Sequence, residues 1–409
     1  MLSVEEAEST ILNVVPSLNP QANVEMVNLS NALGRVLAAP VTSDHDFPHW
    51  DNSAMDGYAV RYADVADCSP DSPKVLEIIE EIPAGYPPKK TLAPGQTARI
   101  FTGACLPTGA DTIVIQEETQ RQGNQVKIFA APEPKAFVRH QGVFYQAGAA
   151  LLEAGIPLGA AEIAVLAAAQ CPQVPVFRRL RVAIFSTGDE LVTPDQALQL
   201  GQLVDSNLYA LTALVQGMGM EVLPLGIVAD HPEVLQDTIA RTLLNADVIL
   251  STGGVSVGDY DYVERVLTSL GAELHIRSVA IKPGKPLTVA TFAECVYFGL
   301  PGNPVSALVT CWRFVQPALR KLSGLSEGYW KPVFIQARSR QDLHGGGKRE
   351  TYLWGQLRIV KGGYEFELAT GSHNSANLVN LAGTTGLAVV PIGQSLIAQG
   401  EAVQVLQVS

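Results

Sequence analysis

A glycine-rich loop that carries two carboxylates is the first candidate for chemistry in this 409-residue sequence. The segment STGGVSVGDYDYV, residues 251–263, follows an apolar run and precedes a helical pattern. Backbone N–H groups of such a turn bind anions. Asp259 and Asp261 stand where a phosphate-binding loop usually has a lysine, and Mg²⁺ typically takes one or two carboxylates together with substrate phosphates. The loop therefore predicts a Mg²⁺–phosphate site, although glycines and helix-capping aspartates also suit a purely structural turn.

Two further loops follow strands in the same way. FSTGDELVTP (185–194) ends a strand with Ser-Thr-Gly and adds Asp189 and Glu190. LPGNPVS (300–306) begins a helix, with Asn303 as the expected N-cap and Pro304 at the first helical position, where proline is tolerated. Taken alone, this third loop is an ordinary capped helix start. The first two loops, in contrast, both combine a Ser-Thr-Gly turn with carboxylates.

Two lysines supply the positive charge that an anionic ligand needs. Lys282 and Lys285 flank a turn in VAIKPGKPLT (279–288). In isolation they are most simply solvent-exposed lysines beside a turn. Because the segment follows a predicted strand of the same region, we expect both lysines near the two acidic loops.

Alternating strands and helices over residues 180–324 predict how these loops are positioned. The pattern predicts a parallel sheet that is covered by helices on both faces, and LTVATFAECVYFGL (287–300) predicts a hairpin. Helices are predicted over 205–219, with Asp205 or Ser206 as N-cap, 231–245, 261–271 and 303–324. Ligands of such sheets bind beyond the carboxyl ends of the strands, so the three loops should gather at that edge.

The flanking segments predict a multidomain α/β protein. Short strand-like pieces between glycine-rich turns indicate a small C-terminal β-barrel, and the N-terminal part is mixed and β-rich. The N-terminal Ser3 and Glu6 fit a capping box. The predicted domains are 1–45 plus 140–178 (mixed, helical), 46–139 (β-rich), 179–324 (the doubly wound α/β domain) and 325–409 (the barrel).

Composition excludes several classes of function. The net charge of −12 weighs against nucleic-acid binding, which needs a basic face. It also means that an anion site must be local or bridged by a metal ion. The apolar stretches are too short to span a membrane, and the N-terminus lacks signal-peptide features. Five scattered cysteines without CxxC spacing predict a reducing cytoplasm.

Together, several motifs resemble the molybdopterin molybdenumtransferase family along the whole chain. They are, in order, DNSAMDGYAV, RIFTGACLPTGADTIV, STGDEL, DSN, STGGVSVGDYDYV, IKPGKP and LPGNPVSA. The resemblance implies four subdomains in a homodimer, with the α/β domain binding the pterin and the N-terminal half of the partner chain facing it. It implies a transferase that inserts molybdate into adenylylated molybdopterin (molybdopterin-AMP), cleaves the pyrophosphate with Mg²⁺ and releases AMP. The adenylylating enzyme is a further expected partner.

The resemblance also implies roles for individual residues. The implied catalytic residues are Asp56, Thr102, Glu190, Asp230 and Asp261, of which Glu190, Asp230 and Asp261 are also the implied metal ligands. The implied substrate-binding residues are Arg139, Ser186, Thr187, Gly188, Asp189, Ser206, Thr252, Gly253, Gly254, Ser256, Gly258, Asp259, Lys282, Lys285, Pro301, Gly302, Pro304 and Ser306.

The sequence departs from the family pattern in two places. Phe144 stands where the family commonly has an acid, and Asn380 with 384–385 replaces a usual serine and Ala-Asn pair, although Ser372 and Ser375 remain nearby. Two other functions stay open. A molybdopterin adenylyltransferase shares the central domain and glycine loop but is typically one small domain, and a non-catalytic scaffold could use the same fold. The flanking domains favour molybdate insertion.

Overall fold

The computed structural model describes residues 1–19, 21–254 and 262–408. Within these ranges the α-helices are α1 (Val4–Val14), α2 (Ala160–Ala168), α3 (Asn207–Gly217), α4 (Pro232–Thr242), α5 (Tyr262–Ser269), α6 (Pro304–Thr310), α7 (Gln316–Leu322) and α8 (Glu327–Trp330). A π-helical stretch, Cys311–Val315, joins α6 to α7.

The strands within the same ranges are short, and many pair over long sequence distances. They are β1 (Val24–Asn28), β2 (Val41–Thr42), β3 (Asn52–Ser53), β4 (Gly57–Val60), β5 (Lys74–Ile82), β6 (Gln96–Ile100), β7 (Thr112–Ile115), β8 (Thr119–Gln122), β9 (Gln125–Ile128), β10 (Val138–Arg139), β11 (Ala150–Leu152), β12 (Gln173–Phe177), β13 (Arg181–Thr187), β14 (Leu191–Val192), β15 (Leu203–Val204), β16 (Glu221–Val228), β17 (Val248–Thr252), β18 (Glu273–Ser278), β19 (Ile281–Lys282), β20 (Pro286–Thr291), β21 (Val296–Leu300), β22 (Phe334–Ser339), β23 (Leu343–His344), β24 (Glu350–Val360), β25 (Gly363–Leu368), β26 (Gly386–Val390), β27 (Leu396–Ile397) and β28 (Ala402–Gln407).

The chain divides into two compact units. The first unit comprises residues 1–39, 154–163 and 173–409, and the second comprises 40–153 and 164–172. The four smaller domains predicted from the sequence remain a prediction at the level of their boundaries.

A six-stranded sheet forms the centre of the first unit, in the order β16-β13-β17-β21-β20-β18. The first four strands run parallel, and β20 and β21 form the antiparallel hairpin that the sequence predicts. The α/β fold class is confirmed, and the sheet is mixed because β20 runs antiparallel to its neighbours β21 and β18.

Alternate residues of the central strands enter two different hydrophobic cores. Val182 and Ile184 belong to the core on one face, which also includes residues of α1, α3, α6 and α7. Ala183 and Phe185 belong to the core on the other face, with residues of α4 and α5. This alternation follows from the twofold side-chain period of a strand, and it explains why strands buried on both faces read as continuous apolar runs.

The C-terminal strands close into the predicted barrel. Strands β24, β25, β22, β28 and β26 pair in that order, and β24 also pairs with β26. The short strand β19 adds to β24 in parallel, with Ile281 opposite Glu350 and Lys282 opposite Thr351. The barrel therefore has a fixed register relative to the lysine segment of the central domain.

The second unit is built on its own six-stranded sheet, in the order β7-β4-β6-β5-β9-β8. Its strands bury small and β-branched side chains such as Ala59, Ala98 and Ile113. The β-rich character that the sequence predicts for this region is confirmed.

The ends of α1 and α6 confirm two predicted N-caps. Ser3 and Glu6 form the predicted capping box at α1. Asn303 is the N-cap residue of α6 and Pro304 is its first residue, as predicted. The Asn303 side chain makes no capping bond, and its Nδ2 donates to Ser375 Oγ at 3.3 Å. Within the described ranges, no helix is long and apolar enough to cross a membrane.

A buried ion-pair network stabilises the amino edge of the central sheet. Asp247 accepts hydrogen bonds from both terminal nitrogens of Arg178, at 2.7 and 2.8 Å, and from the Arg181 amide at 2.8 Å. Burial by itself raises the pKa of Asp247, but the Arg178 and Arg181 contacts outweigh burial and hold that pKa below its ordinary value. A carboxylate of this kind stabilises the fold above its unfolded-state pKa, and the stabilisation is lost as the pH falls through the folded-state pKa.

We expect Asp247→Asn to lower the free energy of unfolding at pH 7 by about 3 kcal/mol, because it leaves a partly buried guanidinium without its anion. The difference from the unmodified protein should shrink below about pH 4, where the carboxyl is increasingly protonated in the unfolded chain. Urea unfolding at pH 7 and at a pH below about 4, followed by tryptophan fluorescence, measures the free energy of unfolding of both proteins. The matched control is Asp237→Asn in an exposed ion pair with Arg241, which should cost at most about 0.5 kcal/mol. If Asp247→Asn lowered the free energy of unfolding equally at the two pH values, the ionised Asp247 carboxylate would not be the source of the stabilisation.

The carboxyl ends of β13 and β17 approach each other too closely for a side chain. Gly253 has φ +86°, and a Cβ added there would lie 2.1 Å from the Thr187 carbonyl oxygen. Only glycine fits this position without moving one of the two strand ends.

We expect Gly253→Ala to destabilise the protein by about 2 kcal/mol or more, because both backbone strain and a backbone clash oppose it. The control is Gly217→Ala in α3, where an added Cβ meets nothing within 4 Å and alanine should be neutral or stabilising by up to about 1 kcal/mol. Thermal unfolding of the two variants side by side makes the comparison. Similar midpoints would show that the strand ends move apart at little cost.

Candidate functional site

The three predicted loops meet at the carboxyl edge of the central sheet. Ser186 lies beside Thr252 in the β13–β17 register, and Thr252 lies beside Leu300 in the β17–β21 register. The ends of all three strands are therefore neighbours, as the sequence predicts. Asn207 Nδ2 ties the third loop to α3 by donating to the Gly302 carbonyl at 2.8 Å.

A cavity of about 570 Å³ opens at these strand ends and is called the strand-end cavity here. Ten predicted substrate-binding or catalytic residues line it: Thr187, Glu190, Ser206, Thr252, Gly253, Gly254, Pro301, Gly302, Pro304 and Ser306. Its walls combine hydroxyls with apolar side chains such as Leu191, Leu203 and Val204, so it can accept a ligand that has both polar and apolar surfaces.

A buried hydroxyl–carboxylate chain lies at the wall of the strand-end cavity. Ser186 Oγ donates to Asp205 Oδ1 at 2.9 Å and contacts Thr252 Oγ1 at 2.9 Å. The Leu208 amide also donates to Asp205 Oδ1, at 3.1 Å. Of the two N-cap candidates for α3, Asp205 therefore makes the capping bond and Ser206 makes none.

The acidic residues of the second loop lie beside Asp230. Thr187 Oγ1 donates to Asp230 Oδ1 at 3.3 Å, and the Asp230 amide donates to Asp189 Oδ1 at 3.4 Å. A Cβ on Gly188 would lie 2.7 Å from Glu190 Oε2, so the Glu190 carboxylate packs back on its own turn. The structure thus brings Asp189 and Asp230 together at the sheet edge.

Oxygen donors of this kind suit a hard cation such as Mg²⁺, but they do not complete a centre by themselves. Over the described ranges, no group of three His, Cys, Asp or Glu side chains lies close enough to hold a metal ion. The predicted residues Ser256, Gly258, Asp259 and Asp261 lie outside the described residues. A complete Mg²⁺ site would need carboxylates from that loop.

A second cavity of about 570 Å³ carries the positive charge and is called the cationic cavity here. Lys282, Lys285 and Arg349 line it, together with His344, Trp354 and Ser375. In the described part of the chain, none of the three cations has a carboxylate partner within salt-bridge distance. The cavity shares Pro286, Asn303 and Ser306 with the strand-end cavity, so the two are adjacent.

Arg349 is the residue of the cationic cavity that the sequence analysis missed. It directly precedes β24, and the β19–β24 pairing brings it to the lysine segment. Its one local signal is the glycine run GGGKRE before it, which does not reveal a partner so distant in sequence.

The substituted position Asn380 has a structural role. Its Oδ1 accepts from the Trp354 indole at 3.0 Å, and its Nδ2 donates to the carbonyls of Thr370 and Ser372. Asn380 therefore holds the segment that carries Ser375 against a wall residue of the cationic cavity.

Three of the predicted site residues, Asp56, Thr102 and Arg139, belong to the second unit. Thr102 donates to Asp56 Oδ1 through its amide at 2.8 Å and its hydroxyl at 2.7 Å. These two bonds lower the pKa of Asp56. Arg139 lies in β10, opposite Asn52 of β3, and Phe144 is 72% exposed. Asp56 and Thr102 thus form one hydrogen-bonded pair.

Models of three protein regions match the chain in order. "MoeA N-terminal region (domain I and II)" matches residues 2–169, "Probable molybdopterin binding domain" matches 183–321, and "MoeA C-terminal region (domain IV)" matches 336–408. The matches cover both units and leave no large segment outside.

Known proteins match over the full length. A molybdopterin molybdenumtransferase from Nostoc sp. is 59% identical over 100% of this chain and 94% of its own. Molybdopterin molybdenumtransferase 2 from Mycobacterium tuberculosis is 33% identical over 99% of both chains. The crystal structure of the molybdopterin biosynthesis MoeA protein from Pyrococcus horikoshii matches with a TM-score of 0.82 at 29% identity, over 100% of this chain and 99% of that one. The chain belongs to the molybdopterin molybdenumtransferase family.

Proposed function

We propose that this enzyme inserts molybdate into adenylylated molybdopterin and releases AMP. The relatives that match its full length carry the name of this transferase. The observation that carries the proposal is the cationic cavity next to the strand-end cavity, because it offers an oxyanion site beside a site for a ligand with polar and apolar surfaces. A protein with a net charge of −12 gathers anions only where such local cations lie.

The two cavities suggest a division of the substrates. Molybdate, a tetrahedral oxyanion, fits the cationic cavity, where Lys282, Lys285 and Arg349 would neutralise its charge. The pterin dithiolene fits the strand-end cavity, so that its two thiols reach the shared wall. There they form two Mo–S bonds and displace one oxygen of molybdate, which leaves as water with both thiol protons. Water then adds to the pyrophosphate and breaks one P–O bond, which yields AMP and the pterin phosphate. Catalysis of such a step depends on positioning and charge neutralisation.

Mg²⁺ is part of this proposal. Carboxylate oxygens of Glu190, Asp230 and Asp261 would hold it, and bound Mg²⁺ would offset the charge of the pyrophosphate oxygens. We further propose that Thr187 orients Asp230 through its hydroxyl, which donates to Asp230 Oδ1.

Two rival functions are less well supported. A molybdopterin adenylyltransferase would not need the N-terminal and C-terminal regions that match here. A scaffold would not need three cations lining one cavity. We also propose a cytoplasmic homodimer in which Asp56 and Thr102 act at the cleft of the partner protomer, and the adenylylating enzyme as a transient partner.

The first prediction is molybdate-dependent AMP release. Purified protein mixed with adenylylated molybdopterin and Mg²⁺ should release AMP after molybdate is added, and it should need no ATP. Chromatographic detection of AMP measures this, and a reaction without protein is the control. Release that depends on ATP, or no release with substrate still bound, would refute molybdate insertion.

The second prediction concerns Arg349. We expect Arg349→Ala to raise the molybdate concentration for half-maximal AMP release about tenfold, which corresponds to the loss of one charge-assisted contact. Lys348→Ala is the matched control, because Lys348 is exposed and does not line the cavity. It should change that concentration less than about twofold. Equal effects of the two variants would indicate bulk charge rather than a local site.

The third prediction tests the shared site. Asp56→Asn and Glu190→Gln should each strongly reduce AMP release. If Asp56 serves the partner's cleft, refolded mixtures of the two variants should recover about a quarter of full activity, since half of the dimers are mixed and each has one intact site. Light scattering should be used to check that the mixture forms dimers. No recovery in a mixture that forms dimers would place both residues at one protomer's site.

A further inference from the structure

Asp205 is a buried carboxylate with one oxygen that no described residue uses. Its relative exposure is 2%, and it lines the strand-end cavity. Oδ1 accepts from Ser186 Oγ and the Leu208 amide, whereas Oδ2 has no hydrogen-bond partner among the described residues. A buried carboxylate oxygen without a donor is costly. Since Asp205 lines the cavity, its unpartnered and solvent-shielded oxygen points to a ligand donor that enters from there.

Asp205 also orders the protons of its neighbours. An ionised carboxylate only accepts, so the single Ser186 proton must point to Asp205 Oδ1. The 2.9 Å contact between Ser186 Oγ and Thr252 Oγ1 then requires the Thr252 hydroxyl to be the donor. Thr252 Oγ1 is left with lone pairs and no proton to offer.

This part of the cavity wall is therefore made of acceptors. Neither Asp205 Oδ2 nor Thr252 Oγ1 can donate to a ligand, so both disfavour phosphate or molybdate oxygens. They favour a group with adjacent N–H donors. The aminopyrimidinone end of a pterin has this pattern, since its ring N–H and its exocyclic amino group lie side by side.

We infer that Asp205 is a specificity-determining residue that selects the aminopyrimidinone end of the pterin and so fixes which way the substrate lies. The inference rests on the proposed function. It places the pterin ring at Asp205 and Thr252, and directs the dithiolene towards the wall shared with the cationic cavity. A site built to hydrogen-bond a ligand discriminates strongly against an analogue that lacks the donor.

Two simple pteridines test the selectivity. Pterin carries a 2-amino group and lumazine carries a 2-oxo group at the same position, so they differ in the donor that Asp205 would read. We expect the full-length protein to bind pterin at least about tenfold more tightly than lumazine, as measured by calorimetry or fluorescence. Weaker binding of pterin than of lumazine, or no measurable binding of pterin, would overturn the inference.

Asp205→Asn replaces the free acceptor by an amide donor while keeping the shape. This variant should lose the preference for pterin or reverse it, and its affinity for molybdate should stay within about twofold. Thr252→Val is the second variant if Asp205→Asn does not fold, and it should weaken pterin binding without a gain for lumazine. Asp237→Asn, in an exposed pair on α4, is the control for a change of charge.

The outcomes separate this inference from the proposed function. Normal molybdate-dependent AMP release with an unchanged pterin preference in Asp205→Asn would overturn the role of Asp205 alone. Equally weakened binding of pterin, lumazine and molybdate would show that Asp205 stabilises the fold and does not select the ligand, which would overturn the inference. Selective pterin binding without AMP release in the unmodified protein would support the inference and refute molybdate insertion.

Discussion

The close approach of the β13 and β17 ends is the constraint on which the site depends. Gly253 leaves no room for a Cβ against the Thr187 carbonyl, so the two Ser-Thr-Gly segments lie side by side. This proximity allows Ser186, Thr252 and Asp205 to form one buried chain of hydrogen bonds. Both faces of the sheet are covered by hydrophobic cores, and Asp247 anchors the opposite edge.

Negatively and positively charged side chains cluster at different places near the ends of the central strands. Asp189 and Asp230, from the loops after β13 and β16, lie beside each other, whereas Lys282, Lys285 and Arg349 line a separate cavity. At 0.15 M salt, charges are screened over about 8 Å, so neighbouring sites of opposite sign can act on different parts of one substrate. The proposed reaction uses this arrangement, because an oxyanion and a pterin must meet while the pyrophosphate is held nearby.

Much of the site follows from local patterns. The Ser-Thr-Gly segments, the parallel strands and the β20–β21 hairpin could be predicted, because strand periodicity and glycine turns are encoded over a few residues. Asn303 at the N-cap of α6 was also predicted, although its side chain makes no capping bond, which the sequence does not reveal. Arg349 was missed, because its place depends on a strand pairing across nearly 70 residues.

Residue order by itself determined the fold class, the strand-end loops and the family, since each depends on short motifs and their succession. Tertiary structure decided which groups share a cavity and which way their protons point. Asp205 illustrates the difference. Its sequence position marks it as a helix cap, and it does cap α3. Its link through Ser186 to Thr252, at the end of the second strand, depends on tertiary packing. Such a hydrogen-bond chain forms only when residues distant in sequence are brought within about 3 Å of each other.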